Sequence, residues 1–404
     1  MKLLMVAPEF PPEIGGMEIH AGKTAEILAA QGHTLHVFSR RLPAHHPDPV
    51  GFRLERVLTR DFRAGLRALR AGIRELGPDA VLLMNAGFAP LAASVEPLPP
   101  ILVRTAGNDA YAAWHGPRLP LRFLAWRLPH ARPGSLGWRL RRIDQQRRTG
   151  AVLAALARCA RVLCNSHYSR DRLRQLGVPE GRLRVVAGGV DTAHFSPAAS
   201  TLERTEPTIG IAGHLLPIKG VDVALQALSS LRPSPPRLRI AGAGAEEARL
   251  RQLVDRLGIA GRVDFAGEIP YARMPDFYRG LDVYVQPSRE IRHPASGWVQ
   301  AESMGRALCE AQACGVGVVA SRSGGIPDVV AEGRTGLLVP TEDPAALAEA
   351  IAQLLASPAR RAAFGRAARE LAEARLSWDA VVTQTLAQIQ ESVREGRAPG
   401  APAA

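Results

Sequence analysis

Two α/β domains built on parallel sheets are predicted by three observations. Short apolar runs alternate with helical patterns in both halves, as expected of parallel strands joined by crossover helices. A chain of 404 residues is too long for one small domain. The alternation fails between Ser196 and Pro207, where Pro, Ser, Thr and charge replace it. The domains are therefore placed at residues 1–200 and 205–375.

In the first domain, Leu3–Val6 reads as a strand and Met17–Gln31 as the helix that follows it. Thr34–Phe38, Ala80–Met84, Ile101–Arg104 and Val162–Asn165 read as further strands, with a helix over Arg63–Leu76. In the second domain the strands are Thr208–Ala212, Leu238–Gly242, Val263–Ala266, Val283–Gln286 and Val316–Ala320. Helices lie between them at Val221–Leu231, Glu246–Leu257 and Gly305–Ala313. Three helical patterns close the chain, at Pro344–Leu355, Pro358–Ala374 and Trp378–Val393. The tail 396–404 is rich in Ala, Pro and Gly and is expected to be disordered.

Apolar residues make up 46% of the chain, enough for two cores, yet no apolar run reaches the length of a membrane span. The N-terminal apolar run is too short for a secretory signal, so a cytoplasmic protein is expected. The cysteines form two C-x4-C pairs, Cys159/Cys164 and Cys309/Cys314. Neither has zinc-site spacing, and buried reduced thiols are expected. The net charge of +13 is lopsided. Residues 1–200 carry 28 Lys/Arg against 15 Asp/Glu, whereas 201–404 carry 23 of each. Arginine outnumbers lysine 48 to 3, a bias that fits a GC-rich genome, so arginine counts alone say little about function.

Five features carry chemistry. Glu302 and Glu310 stand eight positions apart where a loop turns into a helix. On one continuous helix they would be about 12 Å apart along the axis and roughly 80° apart around it, too far to share a metal. Such a pair is either a surface feature or a two-point grip on a hydroxyl-rich ligand, because a carboxylate accepts from hydroxyls. Gly15 and Gly16 lie at a strand–helix turn, which serves equally as a plain loop or as an approach for phosphate. Lys219 is the only lysine after Lys23, in Gly213-His-Leu-Leu-Pro-Ile-Lys-Gly220. It is an exposed loop lysine or the counter-charge of a diphosphate. Gly242 and Gly244 form a G-x-G that lacks the third glycine of a dinucleotide fingerprint, since Glu247 takes its place. Asn108 and Asp109 follow a buried strand and read as a turn, a cap or part of a site.

Residues 110–150 hold nine arginines and one acid (Asp144), interleaved with Trp114, Phe123, Trp126 and Trp138. Tryptophan beside arginine suits an anionic membrane interface. It also suits nucleic acid, or a solvated helical hairpin with its tryptophans in the core.

The order of the motifs narrows these choices. Pro11-Pro-Glu-Ile-Gly-Gly16, the Lys219 loop, Leu281-Asp-Val-Tyr-Val-Gln-Pro-Ser288 and the Glu302/Glu310 pair follow one another. Then come Val316-Gly-Val-Val-Ala-Ser321, Gly324-Gly-Ile-Pro-Asp328 and Gly333-Arg-Thr-Gly-Leu-Leu-Val339. This order resembles the retaining glycosyltransferases of family 4, from Pro11 to about Trp378. The resemblance implies the GT-B fold: two Rossmann-like domains facing across a cleft, with a final helix, 376–395, returning to the first. It implies transfer of a sugar from a nucleoside diphosphate sugar, UDP- or GDP-linked, with no cofactor beyond that co-substrate.

Site residues follow from the resemblance position by position. Gly15 and Gly16 face the donor diphosphate, which Lys219 and the residue at 214 hold. Gly242 and Gly244 lie beside the nucleotide, and Phe265-Ala-Gly-Glu-Ile269 flanks the base. Glu310 holds the ribose, Glu302 contacts the sugar, and Asp109 meets it from the acceptor side. Here the chain departs from the family pattern, because His214 stands where arginine is usual. A neutral imidazole supplies one hydrogen bond and little charge, which leaves neutralisation of the diphosphate incomplete. With no clear nucleophilic carboxylate in the first domain, front-face substitution with retention is implied. With no D-x-D motif, no catalytic metal is expected. Asn108, Trp126, Arg127, Trp138, Arg139, Arg141 and Arg142 form the expected acceptor or membrane side. The acceptor is expected to be a glycan or lipid-linked, at the inner face of the cell membrane. Other classes fit single features: a GT-B epimerase or phosphorylase, a basic membrane- or nucleic-acid-binding adaptor, or a nicotinamide dehydrogenase.

Overall fold

The computed structural model describes residues 1–12, 15–40, 51–59, 61–93, 98–105, 136–198, 206–231, 235–292 and 299–397. The chain forms two compact units. One is Met1–Val186 together with the chain from Val381 onward, and the other is Ala187–Ala380. The break expected from the sequence, at residues 200–205, lies outside the described residues.

The first unit holds β1 (Lys2–Ala7), β2 (Thr34–Arg40), β3 (Arg53–Leu58), β4 (Ala80–Leu83), β5 (Ile101–Arg104), β6 (Arg161–Cys164) and β7 (Leu183–Val185). They form one sheet in the order β3-β2-β1-β4-β5-β6-β7, parallel throughout. Successive residues of β1 and β4 enter different clusters. Leu4, Val6, Val81 and Leu83 pack on one side, Leu3, Met5 and Leu82 on the other. A parallel sheet covered on both faces needs that continuous apolar run. Helices α1 (Gly16–Ala30), α2 (Phe62–Leu76), α3 (Leu136–Leu156) and α4 (His167–Gln175) complete the unit's first segment. Helix α2 shows how local sequence sets its limits. The Asp61 side chain accepts from the Arg63 N–H at the start, and Gly77, left-handed at φ 54°, ends it.

The second unit holds β8 (Thr208–Ala212), β9 (Arg237–Ala241), β10 (Val263–Gly267), β11 (Val283–Gln286), a short antiparallel pair β12 (Ile291–Arg292) and β13 (Val299–Gln300), then β14 (Val318–Ser321) and β15 (Gly336–Val339). The main sheet runs β10-β9-β8-β11-β14-β15, again parallel. Its helices are α5 (Val221–Ser230), α6 (Glu247–Leu257), α7 (Met274–Arg279), α8 (Arg306–Ala313), α9 (Pro344–Leu355) and α10 (Pro358–Leu371).

The last helix, α11 (Trp378–Arg397), begins in the second unit and ends in the first. There Val381, Val382, Ile389 and Val393 pack with Leu3, Met5 and Leu35. The buried Arg161 of β6 fixes it, with Nη2 2.5 Å from Glu395 and 3.5 Å from Glu391. Gly396 and Arg397, placed by the sequence in a disordered tail, are helical; residues 398–404 lie outside the described residues. No described helix is long and apolar enough to cross a membrane. All four cysteines are buried. Burial pushes the Cys159 and Cys314 thiols up to about 12.

Candidate functional site

The order of the second sheet reverses between β8 and β11, and ligands of open α/β sheets bind beyond the strand ends at such a point. The loops after β8, β9 and β11 meet there. Gly213 N–H donates to Ala241 O, Leu215 N–H to Ala243 O, and Glu246 N–H to Leu215 O. Glycine is needed at 242 and 244 for this lacing. Gly242 lies at φ 129°, and a β-carbon on it would sit 2.1 Å from Gly213 O. One on Gly244 would sit 2.4 Å from Leu215 O. The G-x-G thus holds two loops together rather than opening a dinucleotide fold.

Lys219 ends the 3-10 turn Pro217–Lys219, and Gly220 stops it in the left-handed region. A β-carbon on Gly220 would sit 1.9 Å from Pro287 O, so the Lys219 loop lies directly on the chain leaving β11. This brings Lys219 Nζ to 2.5 Å from Glu302 Oε2, with both side chains largely shielded. Gln286 Nε2, at the end of β11, donates to the same oxygen at 3.4 Å. The Glu302 backbone is fixed as well. Its carbonyl accepts from Gly325 N–H at 2.8 Å, and Gly324 passes too close to it for any side chain. The Gly324-Gly-Ile-Pro-Asp328 motif therefore positions Glu302.

Glu302 and Glu310 are not on one helix. Helix α8 begins at Arg306, with Gly305 capping it at φ 89°. The separation expected along a continuous helix does not apply, because a left-handed residue interrupts the run. Glu302 belongs to the loop and Glu310 to the second turn of α8. Glu310 is buried. Its Oε2 accepts from Tyr278 OH at 2.7 Å, and its Oε1 lies 3.3 Å from Arg306 Nε. Burial pushes the Glu310 carboxyl above the usual range, while Arg306, the Tyr278 hydrogen bond and His194 pull it back. Burial, and then the same carboxylate, drive the Tyr278 phenol well above its ordinary value. His194 stacks on Tyr271 at 5.0 Å, and burial pushes that phenol up to about 12.

Lys219, Glu302, Glu310, Gly242 and Gly244 therefore belong to one unit, on loops and a helix that follow its strands. His214 is exposed on the loop after β8. In the first unit, Gly15 caps α1 with extended backbone, and Gly16 is its first residue. A β-carbon on Gly15 would lie 2.2 Å from Glu18 Oε2, so an acid already folds over this helix start. Asn108, Asp109, Trp126 and Arg127 lie outside the described residues. Trp138, Arg139, Arg141 and Arg142 fall on α3, and their side chains lie outside the described residues. The sequence reading missed Tyr278, Gln286 and Arg306. Arg306 was findable from its four-residue spacing to Glu310. Tyr278 was not, because only the fold brings it to the carboxylate from 32 positions away.

Known proteins match the chain in both units. Residues 14–194 match Glycosyltransferase Family 4, and residues 194–371 match Glycosyl transferases group 1. A D-inositol 3-phosphate glycosyltransferase of Saccharomonospora viridis is 30% identical, over 91% of this chain and 86% of its own. The chain belongs to this glycosyltransferase family. A GDP-mannose-dependent alpha-(1-6)-phosphatidylinositol monomannoside mannosyltransferase of Mycolicibacterium smegmatis is 34% identical. That match covers 57% of this chain and 62% of the mannosyltransferase, so this chain spans less than two thirds of it. Among solved structures, sucrose-phosphate synthase from Thermosynechococcus elongatus has a TM-score of 0.74 at 23% identity, covering 96% of this chain and 98% of that one. The fold is the GT-B fold that the motifs implied.

Proposed function

We propose that the protein transfers a sugar from a GDP- or UDP-linked donor, with retention at the anomeric carbon, to a lipid-linked or glycan acceptor. The observation that carries this reading is the grouping of Lys219, Glu302 and Glu310 at the sheet reversal of the second unit. A lysine ammonium has three donors. One goes to Glu302, which leaves two to meet a leaving diphosphate. Glu310 accepts the ribose hydroxyls and Glu302 a hydroxyl of the transferred sugar. The leaving phosphate takes the acceptor proton as the new glycosidic bond forms on the same face. Lysine supplies charge that other enzymes take from a metal, so turnover should survive chelation by EDTA. The acceptor side is Asn108, Asp109 and the basic 110–150 segment. The mannosyltransferase relative favours GDP-mannose and a phosphatidylinositol-type acceptor.

A thermal-shift screen against GDP-, UDP- and ADP-sugars tests the donor. At a hundredfold excess over Kd a bound ligand adds about 2.7 kcal/mol, a rise of roughly 5–10 °C. No shift with any of them would remove the donor assignment. The anomeric configuration of the product, read by NMR, tests retention, and an inverted product overturns it.

A further inference from the structure

Glu310 is 7% exposed, and each of its oxygens already has a partner within the second unit. Tyr278 of α7 donates to one oxygen from behind. Arg306, the first residue of α8, reaches down one helical turn to the other. The guanidinium is not used up by this contact. Its Nη1 is buried and has no acceptor among the described residues. A charged donor left in that state is costly, and a group that fills it gains the difference. The side chain as a whole is 36% exposed, so a ligand that displaces its cover can reach Nη1 while Nε stays on Glu310.

A carboxylate only accepts hydrogen bonds and a guanidinium only donates them. A sugar hydroxyl does both. Glu310 alone satisfies the proton of a ribose hydroxyl and leaves its oxygen unserved. We propose that Arg306 completes the site: a ribose hydroxyl donates to Glu310 while its oxygen accepts from Arg306 Nη1, and the same guanidinium holds the carboxylate in place. This rests on the reading of Glu310 as the donor-ribose carboxylate. The ligand class is a ribonucleotide, and the site discriminates against one that lacks the vicinal hydroxyls.

The ionisable groups that bear on Glu310 set the sign of a pH test. Tyr278 comes from α7 and Tyr271 from the turn before it, Tyr284 from β11, Cys309 from α8 and Cys314 from its C-terminal end, and His194 from the segment before β8. Arg306 is the largest influence holding the carboxyl down against burial. Without it the carboxylate protonates at a higher pH, so affinity for a diol is lost earlier as pH falls.

The test is calorimetric titration of GDP and UDP, each with its 2′,3′-dideoxy form, across acid pH. The proteins are the wild type, Arg306→Leu, Arg306→Lys and Glu310→Gln, each checked for its melting temperature. The wild type should prefer the ribonucleotide. Arg306→Leu should lose about tenfold or more in ribonucleotide affinity, keep dideoxynucleotide affinity within about twofold, and move the acid loss to higher pH. Arg306→Lys should restore the pH position without restoring the full ribose preference. If Glu310→Gln abolishes the ribose preference while Arg306→Leu keeps both preference and pH profile, Arg306 is a bystander and the inference fails. An equal loss for both nucleotides in Arg306→Leu also overturns it. If instead Glu310→Gln leaves the ribose preference intact, it is the ribose assignment of Glu310 that fails.

Discussion

Removing the Lys219 ammonium separates the stability of the site from its chemistry. Lys219→Met keeps length and takes away the charge 2.5 Å from Glu302. Among the described residues, Glu302 would then keep one side-chain donor, Gln286 at 3.4 Å. The two side chains are 22% and 16% exposed, between a surface pair and a buried one. The stranded carboxylate should therefore cost about 1–3 kcal/mol. For a unit of this size that lowers the melting temperature by roughly 2–4 °C per kcal/mol. Turnover should fall much further. A preorganised charge aimed at the leaving diphosphate is worth about 100- to 1000-fold in rate. Adding Glu302→Gln removes the stranded charge, so the double variant should regain its melting temperature without regaining turnover. The assay is the initial rate of nucleoside diphosphate release beside a thermal melt of each variant. Recovery of turnover together with stability would show that the pair is a strut and that Lys219 has no part in transfer.

Three further outcomes are expected. Gly242→Ala should destabilise by more than about 2 kcal/mol in urea unfolding, since the new β-carbon meets the Gly213 carbonyl at a left-handed backbone position. His214→Arg should preserve or raise donor affinity in calorimetry, because the position is exposed and charge there adds to that of Lys219; a sharp loss would mean a site rebuilt for another ligand. Neutralising Arg139, Arg141, Arg142, Arg147 and Arg148 together should abolish co-sedimentation with anionic liposomes at low salt while leaving donor binding intact, each arginine near a surface being worth about 1 kcal/mol; wild-type indifference to liposomes would end the membrane proposal.

Much of the fold was readable because both sheets are buried on two faces. Ala80–Leu83 is an unbroken apolar run and Val283–Gln286 is buried throughout, and such strands are hard to miss. The unread strands fail that condition. β3 is half-buried with three charged residues, and β7 is three residues long and opens on a 3-10 turn. They sit at the two edges of the sheet, where one neighbour suffices and the apolar demand relaxes. Strand β15, Gly336–Val339, was unread as well; it opens on a glycine and lies at the edge of the second sheet.

The site divides along a different line. Residues marked by the chain next to them could be picked out in place, as Lys219 was at the end of its loop. What could not be read is how the carboxylates are supported, because that support comes from across the sheet. Gln286, Tyr278 and the Gly324–Gly325 pair all act on Glu302 or Glu310 over 16 to 32 positions. Gly305 illustrates the cost of the gap. A helical pattern running from Gly305 to Ala313 hides the fact that its first residue is left-handed. That one backbone angle sends Glu302 towards Lys219 and leaves Glu310 facing Tyr278 and Arg306. The eight-residue spacing of the motif is therefore not a helical repeat. It is the length of chain needed to place one carboxylate beside the ammonium and the other in a buried pocket, with a glycine hinge between them.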